Sequence, residues 1–512
     1  MYLKEIRFFV SIFILIILIY SINCSVFGLQ IESSLSSSSD HEPFYVGVTY
    51  CGDSVAEAKQ LIDKVKDYTN LFVIQSGSLQ FGHRLDELKQ IIDYVVDSDL
   101  YFIVYLGNFR EFLDGFFGIF DPLWENYFLG IYFGDEPAGK MLDEDTNFLR
   151  GSSQDFIDKR IDGSVKVTFN TISPYEVRDP KITYYKNGTI FVEKDDSVNS
   201  RIIYATYHTN GSISVKIREL IGSSVYYGDK TDIPYSFETV QNMYPFNSYS
   251  ETADLFVDLY QSILNETKEY DNVAYFTSDY VLHWFDYKAG YDVVLAQFGW
   301  NHTLAQDIAL VRGAANLQQK DWGAIITWKY NNPPYLDTGE VIYNQMKTAY
   351  ESGAKYVVVF NYAENMSNTY GTLQDEHFGA LEQFWNDVVQ NPSVEHGSIE
   401  GEAVLVLPKN YGWGMRNFND TIWGIHDTDE KSEQIWNLRS SLFEEYGLKL
   451  DIVFNDPEFS VEGKYNQTYY AAIEKNDQIP TTWVAIVLIG SIIVAVPMLY
   501  FAKIKKPTNK IK

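Results

Sequence analysis

Short apolar runs recur along the chain. Each is stopped by Gly, Pro, Asp or Asn, and each is followed by a longer stretch in which apolar residues return every three or four positions. The first pattern predicts a strand buried on both faces, the second an amphipathic helix covering it. Phe44 to Tyr50, Leu71 to Gln75, Leu100 to Leu106 and Leu129 to Phe133 are the first four runs. Helices are expected over Ser54 to Tyr68 and Arg84 to Val96, with a Phe- and Trp-rich helical region before the fourth run. After a helix from Glu251 to Leu264 the alternation resumes with Val273 to Thr277, Asp292 to Gln297, Gly323 to Trp328 and Tyr356 to Phe360. Helical stretches near Leu304 to Leu317, Gly339 to Ser352 and Gln374 to Val389 separate and close this set. Eight strand-then-helix units predict an α/β fold, a (β/α)8 TIM barrel over residues 44–395.

Residues 140–250 break the rhythm. Asn187-Gly188 and Asn210-Gly211 sit between alternating segments and are the sequence signal of tight hairpins. This β-rich insertion leaves the barrel just after strand 4, so it is expected to wall or lid the face on which that strand ends. Behind the barrel, Ala403 to Pro408, Glu430 to Tyr446 and Leu448 to Phe454 predict a small flavodoxin-like α/β module over 396–478. It carries no Gly-x-Gly-x-x-Gly turn, so a packing or oligomerisation role is expected of it rather than nucleotide binding.

The remaining hydrophobic segments concern location. Lys4 and Arg7 precede an apolar stretch from Phe8 to Ile22, the layout of a signal peptide, taken as residues 1–29 and followed by a Ser-rich linker over 30–43. Thr482 to Ala502 is apolar over a length that spans a bilayer as a transmembrane helix, and lysines dominate residues 503–512. The expectation is a single-pass protein of the cell membrane with its ectodomain extracellular and its basic tail inside. Asn187, Asn210, Asn265, Asn301, Asn365, Asn419 and Asn466 each begin an Asn-x-Ser/Thr glycosylation signal within that ectodomain.

A formal charge of −29 leaves no basic stripe to neutralise phosphates, which excludes nucleic acid as a partner. Cys24 and Cys51 are too few for a disulfide framework, a zinc site or a Cys-x-x-Cys motif, and no metal or other cofactor is expected.

Candidate chemistry concentrates where strands end. The fourth run closes on Asp135 and Glu136, and Pro137 ends it, because a proline cannot donate to a ladder. In a parallel barrel the C-terminal strand ends converge on one face, so this adjacent pair is a candidate for acid/base work. Asp279 after strand five and Glu364 after strand eight are further strand-end acids; Asp279 also precedes a short helix that it could cap. Trp300, Trp328, Tyr330 and Tyr362 are strand-end rings suited to stacking on a sugar, and Tyr50, Gln297 and Asn361 share the same end.

Gly134-Asp-Glu-Pro137 resembles the Asn-Glu-Pro that ends the fourth strand in the large clan of retaining glycoside hydrolases, and a barrel followed by a flavodoxin-like module is similar to some β-galactosidase-like enzymes. The resemblance implies that Glu136 is the general acid/base and the substrate a carbohydrate. That clan carries its nucleophilic glutamate at the end of strand seven, where this chain has Thr327-Trp-Lys-Tyr330. Asp279, Asp135 or Glu364 would then partner Glu136. Two functions stay open: a surface glycoside hydrolase acting on extracellular oligosaccharide or polysaccharide, and a catalytically inactive barrel serving as a surface-layer or glycan-binding protein. Protease added to intact cells is expected to release the ectodomain, whereas full protection would overturn the membrane topology.

Overall fold

Eight parallel strands close on themselves in a computed structural model that describes residues 43–471, except 78, 80–83, 108–109, 144–147, 151–155, 160–163, 169–179, 197–198, 221–223, 229, 243–247, 268–272 and 363–369. They are β1 (Tyr45–Tyr50), β2 (Leu71–Ile74), β3 (Tyr101–Gly107) and β4 (Phe128–Phe133), then β13 (Tyr275–Asp279), β14 (Val293–Phe298), β15 (Asp321–Ile326) and β16 (Tyr356–Val359). The order round the barrel is β1-β16-β15-β14-β13-β4-β3-β2, closed by Tyr45 against Tyr356 on one side of β1 and Gly47 against Leu71 on the other. The fold is an α/β barrel of the TIM type.

Side chains alternate across each strand, so every second residue fills the barrel interior. Leu71 and Val73, Ile103, Phe276, Val293 and Leu295, Ile325, and Tyr356 and Val358 form that inner core. Tyr45 stacks on Tyr356 with ring centroids 5.2 Å apart and meets the edge of Tyr101 at 5.1 Å, which seals one end. Outside, helices bury their apolar stripes; Val55–Val65, capped by Ser54, turns Ala58, Leu61, Ile62 and Val65 inward.

Between β4 and β13 lies an eight-stranded antiparallel sheet, β5 (Phe148–Arg150), β6 (Phe156–Lys159), β7 (Val165–Thr168), β8 (Lys181–Tyr184), β9 (Ile190–Asp196), β10 (Arg201–Tyr207), β11 (Ile213–Glu219) and β12 (Val225–Tyr227), each paired with its neighbour in sequence. Asn187-Gly188 turns β8 into β9 and Asn210-Gly211 turns β10 into β11, with both glycines at φ +81°, where a side chain would be strained.

After the barrel, β17 (Ala403–Leu407), a helix over Glu430–Tyr446, β18 (Leu450–Phe454) and β19 (Gln467–Tyr470) form a three-stranded parallel sheet ordered β18-β17-β19. β19 is an addition to the expected elements; three of its four residues are exposed and Tyr469 is half-buried, so it carries no apolar pattern. The small sheet is fastened to the barrel through the helix Leu304–Gln318. There the buried Arg312 pairs with the buried Asp451 at 2.8 Å and also donates to the carbonyls of Ile399 and Leu448, both at 2.7 Å. Gly313 permits this approach, since a Cβ there would lie 2.9 Å from Val453.

The signal peptide, the Ser-rich linker and Thr482 to Ala502 lie outside the described residues. Among the described residues, no helix is long and apolar enough to cross a membrane. Arg312→Met should leave the Asp451 carboxylate buried without its counter-charge and destabilise the fold by roughly 3–5 kcal/mol in urea unfolding. A loss below about 0.5 kcal/mol, the scale of an ordinary surface change, would show that this pair does not hold the small sheet.

Candidate active site

The end of β4 is shaped by backbone conformation before any side chain acts. Gly134 has φ +69° and Glu136 has φ +53° and ψ +51°, left-handed values that are uncommon for a residue with a side chain. Pro137 then starts a short helix, Pro137–Leu142, at the position where its missing N–H is not needed. The strained Glu136 is held from both sides. Its N–H donates to the Ser278 carbonyl at 2.9 Å, and the next two free helix N–H groups, of Ala138 and Gly139, donate to the Asp279 carboxylate at 2.7 and 2.9 Å. Holding a non-glycine residue in such a region takes on the order of 1–3 kcal/mol from its surroundings.

Glu136 therefore projects into a cavity of about 200 Å³ at the C-terminal end of the barrel. Its Oε1 accepts from Gln297 Nε2 at 2.7 Å, and the same Nε2 lies 3.1 Å from Ser278 Oγ. Asp135 stands beside it. The Tyr132 hydroxyl donates to Asp135 Oδ1, and Ser278 Oγ donates to the same oxygen at 3.3 Å. Lys140 donates to the Asp135 carbonyl at 2.7 Å and keeps its ammonium 3.8 Å from Asp135 Oδ2 and 4.0 Å from Glu136 Oε2. Burial, and then the Asp135 charge, push the Glu136 carboxyl above the usual carboxylate range, against the opposing pull of Gln297 and Lys140.

Aromatic rings complete the cavity: Trp300, Trp328, Phe360 and Tyr362. Trp328 lies edge-on to Tyr362 at 5.4 Å, against Tyr335 at 4.8 Å and near Trp300 at 6.3 Å. The Trp300 N–H donates to the Trp328 carbonyl at 2.8 Å, which fixes the two loops to each other. In the closed strand order β16 is diametrically opposite β4, so Phe360 and Tyr362 follow the strand that faces the acids across the barrel. Three polar atoms lining this cavity are buried without a hydrogen-bond partner among the described residues: Gln75 Oε1, Gln297 Oε1 and Trp328 Nε1. Unsatisfied buried groups are expensive, and their clustering here marks a place where a polar ligand would complete the bonding.

Of the residues singled out in the sequence, Asp135, Glu136, Gln297, Trp300, Trp328 and Tyr362 come together round the cavity. Others do not. Asp279 is fully buried and of opposite strand parity to Phe276 and Ser278, so its carboxylate faces the helix layer and collects the N–H groups of Ala138, Gly139, Tyr280 and Val281. Burial pushes its carboxyl up to about 8, against those donors. Tyr50 likewise points outward, stacks on Phe72 and has its hydroxyl engaged by Ser54. Asn361 is buried and ties Thr372 to the barrel end at 2.9 Å, while Tyr330 is exposed beside Asp337. Glu364 and Asn365 lie outside the described residues. Asn187, Asn210, Asn265, Asn301, Asn419 and Asn466 are all exposed.

No described residue of the β-rich insertion lines the cavity, although Lys140 at its start stands against both acids. Instead the segment after β17 buttresses the helix that follows Glu136. Arg416 donates to Asp143 at 2.6 Å and to Asp420 at 2.8 Å, with its guanidinium over the Tyr280 ring, whose hydroxyl donates to the same Asp143. Gln75, Tyr132, Ser278, Thr327 and Phe360 are site residues not singled out in the sequence; two residues past the inner-core positions Val73, Phe276, Ile325 and Val358 lie Gln75, Ser278, Thr327 and Phe360. No protein-family model matches this chain, and no curated protein matches it.

Asp279→Ala should strand the Ala138 and Gly139 N–H groups, at on the order of 1–3 kcal/mol each. Gly139→Ala would drive a methyl to 2.3 Å from the Tyr280 ring and 2.7 Å from Asp279. Urea unfolding is expected to show both variants destabilised, Gly139→Ala by roughly 1–3 kcal/mol; wild-type midpoints would refute the described support of Glu136.

Proposed function

We propose that the barrel is a glycoside hydrolase domain displayed outside the cell, in which Glu136 donates the proton to the glycosidic oxygen of an oligosaccharide or polysaccharide. The observation that carries this reading is Glu136 itself: a partly desolvated carboxyl beside a second acid, in a cavity that also has aromatic rings and hydrogen-bonding atoms unpaired among the described residues. A general acid must be protonated when it meets the leaving oxygen, and burial together with Asp135 favours that state. Gln297 occupies Oε1, which leaves Oε2 to carry the transferable proton. Ring faces of Trp300, Trp328 and Tyr362 offer apolar surface to the C–H face of a sugar, and Gln75 and Gln297 offer acceptors to its hydroxyls. The likeness of Gly134-Asp-Glu-Pro137 to the Asn-Glu-Pro strand end supports the same role.

A second reading is a glycan-binding barrel without turnover. It is favoured by the orientation of Asp279, which leaves Asp135 as the only other carboxylate among the described cavity residues. Assays over a panel of glycans separate the two. Glu136→Gln keeps the shape and removes the proton, so hydrolysis should fall by roughly two to four orders of magnitude with binding retained. The rate should be fullest below the raised pKa of Glu136 and fall about tenfold per pH unit above it, because only the protonated acid donates. Wild-type protein that binds glycans and hydrolyses none would establish the second reading, and activity that survives Glu136→Gln would remove Glu136 as donor.

A further inference from the structure

Cleaving a glycosidic bond takes a proton donor and something to meet the anomeric carbon as the leaving group departs. The usual solution is a second carboxylate on the far side of the ring, about 5–5.5 Å from the acid for retention or about 6.5–9.5 Å for inversion. Asp135 is adjacent to Glu136 on one strand end, so both acids rise from the same wall. Across from them, β15 and β16 contribute Thr327, Trp328, Phe360 and Tyr362. The Cys51 thiol, close enough to feel the Asp135 charge, is held protonated, because burial pushes it up to about 12.

Asp135 is nonetheless built with care. Its Oδ1 is fixed by the Tyr132 hydroxyl and by Ser278 Oγ, while Oδ2 accepts no hydrogen bond among the described residues and has Lys140 only at 3.8 Å. A carboxylate oriented by two hydroxyls, with one oxygen open beside a proton donor, suits an N–H of the ligand. The cavity, about 200 Å³, is below the roughly 300–1,000 Å³ of clefts that take drug-sized ligands, so it suits one substituted sugar ring at a chain end. Gln297, only 5% exposed, keeps a buried Oε1 without a partner among the described residues in the same cavity.

We propose that the ring taken here bears a 2-acetamido group, and that this group, oriented by Asp135, serves as the nucleophile. The inference rests on the glycosidase reading of Glu136. In the first step the acetamide carbonyl oxygen bonds to the anomeric carbon as the bond from that carbon to the glycosidic oxygen breaks. The leaving oxygen takes its electron pair and the Glu136 proton. The positive charge of the resulting oxazolinium ring sits largely at its N–H, which Asp135 accepts. Water then adds to the anomeric carbon and returns a proton to Glu136, and the bond to the acetamide oxygen breaks, restoring the acetamide with retained configuration. No second protein carboxylate forms a bond to the sugar in this sequence.

The test uses the full-length protein with 4-nitrophenyl glycosides in matched pairs, 2-acetamido against 2-hydroxy, in gluco and galacto forms and both anomers. Nitrophenol release is expected from the 2-acetamido series alone. Replacing the acetamido by a trifluoroacetamido group should lower kcat by at least roughly tenfold, because the carbonyl oxygen loses nucleophilicity while the ring still binds. Asp135→Asn should lower kcat roughly 10²–10³-fold with KM little changed, and the trifluoroacetamido comparison needs no variant to fold. Release from 2-hydroxy sugars that is lost in Glu364→Gln would overturn this inference and leave the glycosidase reading standing. Release from neither series, together with no hydrolysis of any glycan in the panel, would overturn both.

Discussion

The Asp279 carboxylate is the point on which the site hangs. It lies at the end of β13 and reaches across to the first N–H groups of the helix that starts after Glu136, while the Ser278 carbonyl next to it holds the Glu136 N–H. These contacts join two neighbouring strand ends and over-determine a left-handed residue that would otherwise relax. Glu136 is aimed by the backbone, so its side chain reaches the cavity without depending on its own rotamer alone. A buried carboxylate is a costly anchor, and the four backbone donors around it offset only part of that cost.

The same residue shows where sequence reading ends. Eight short apolar runs separated by helical periods were enough to identify a closed α/β barrel, and Asn-Gly pairs marked two hairpins of the inserted sheet. What those runs hide is facing. A strand buried on both sides is apolar at every position, so nothing in its composition tells an inward residue from an outward one. Asp279 and Tyr50 were thus grouped with Gln297 although they have the outward parity of their strands. Had the inner stripe been counted from Phe276 and Leu295, Ser278 and Gln297 would have been assigned to the cavity together, and Asp279 to the helix layer. Strand ends blur this further: β15 stops at Ile326, two residues before the expected Trp328, and β13 extends to Asp279.

Long-range support was less legible still. Arg416 braces Asp143 from a part of the sequence that reads as an unremarkable loop, and Arg312 joins the small sheet to the barrel from the middle of a helix whose pattern shows only a buried side. Each of these charges is intelligible once its partner is known, because a guanidinium can leave water only where carboxylates and carbonyls use its donors. The sequence shows the cation and the anion but not their meeting.

The position of the inserted sheet has a consequence for how the molecule is made. Ala138 and Asp279 touch although they are 141 positions apart, because the whole sheet from β5 to β12 is strung between them. That sheet pairs each strand with its sequence neighbour, so its contacts are local and its order can form as it emerges. The first half of the barrel has no such freedom. From the moment β4 is synthesised until β13 arrives, its edge is an open row of unpaired donors and acceptors, flanked by a core with half its residues missing. Loop closure across the insertion adds little in equilibrium, since its entropy grows only with the logarithm of length. The burden is temporal: a nascent half-barrel must be kept from pairing with another chain while a complete sheet folds in the interval.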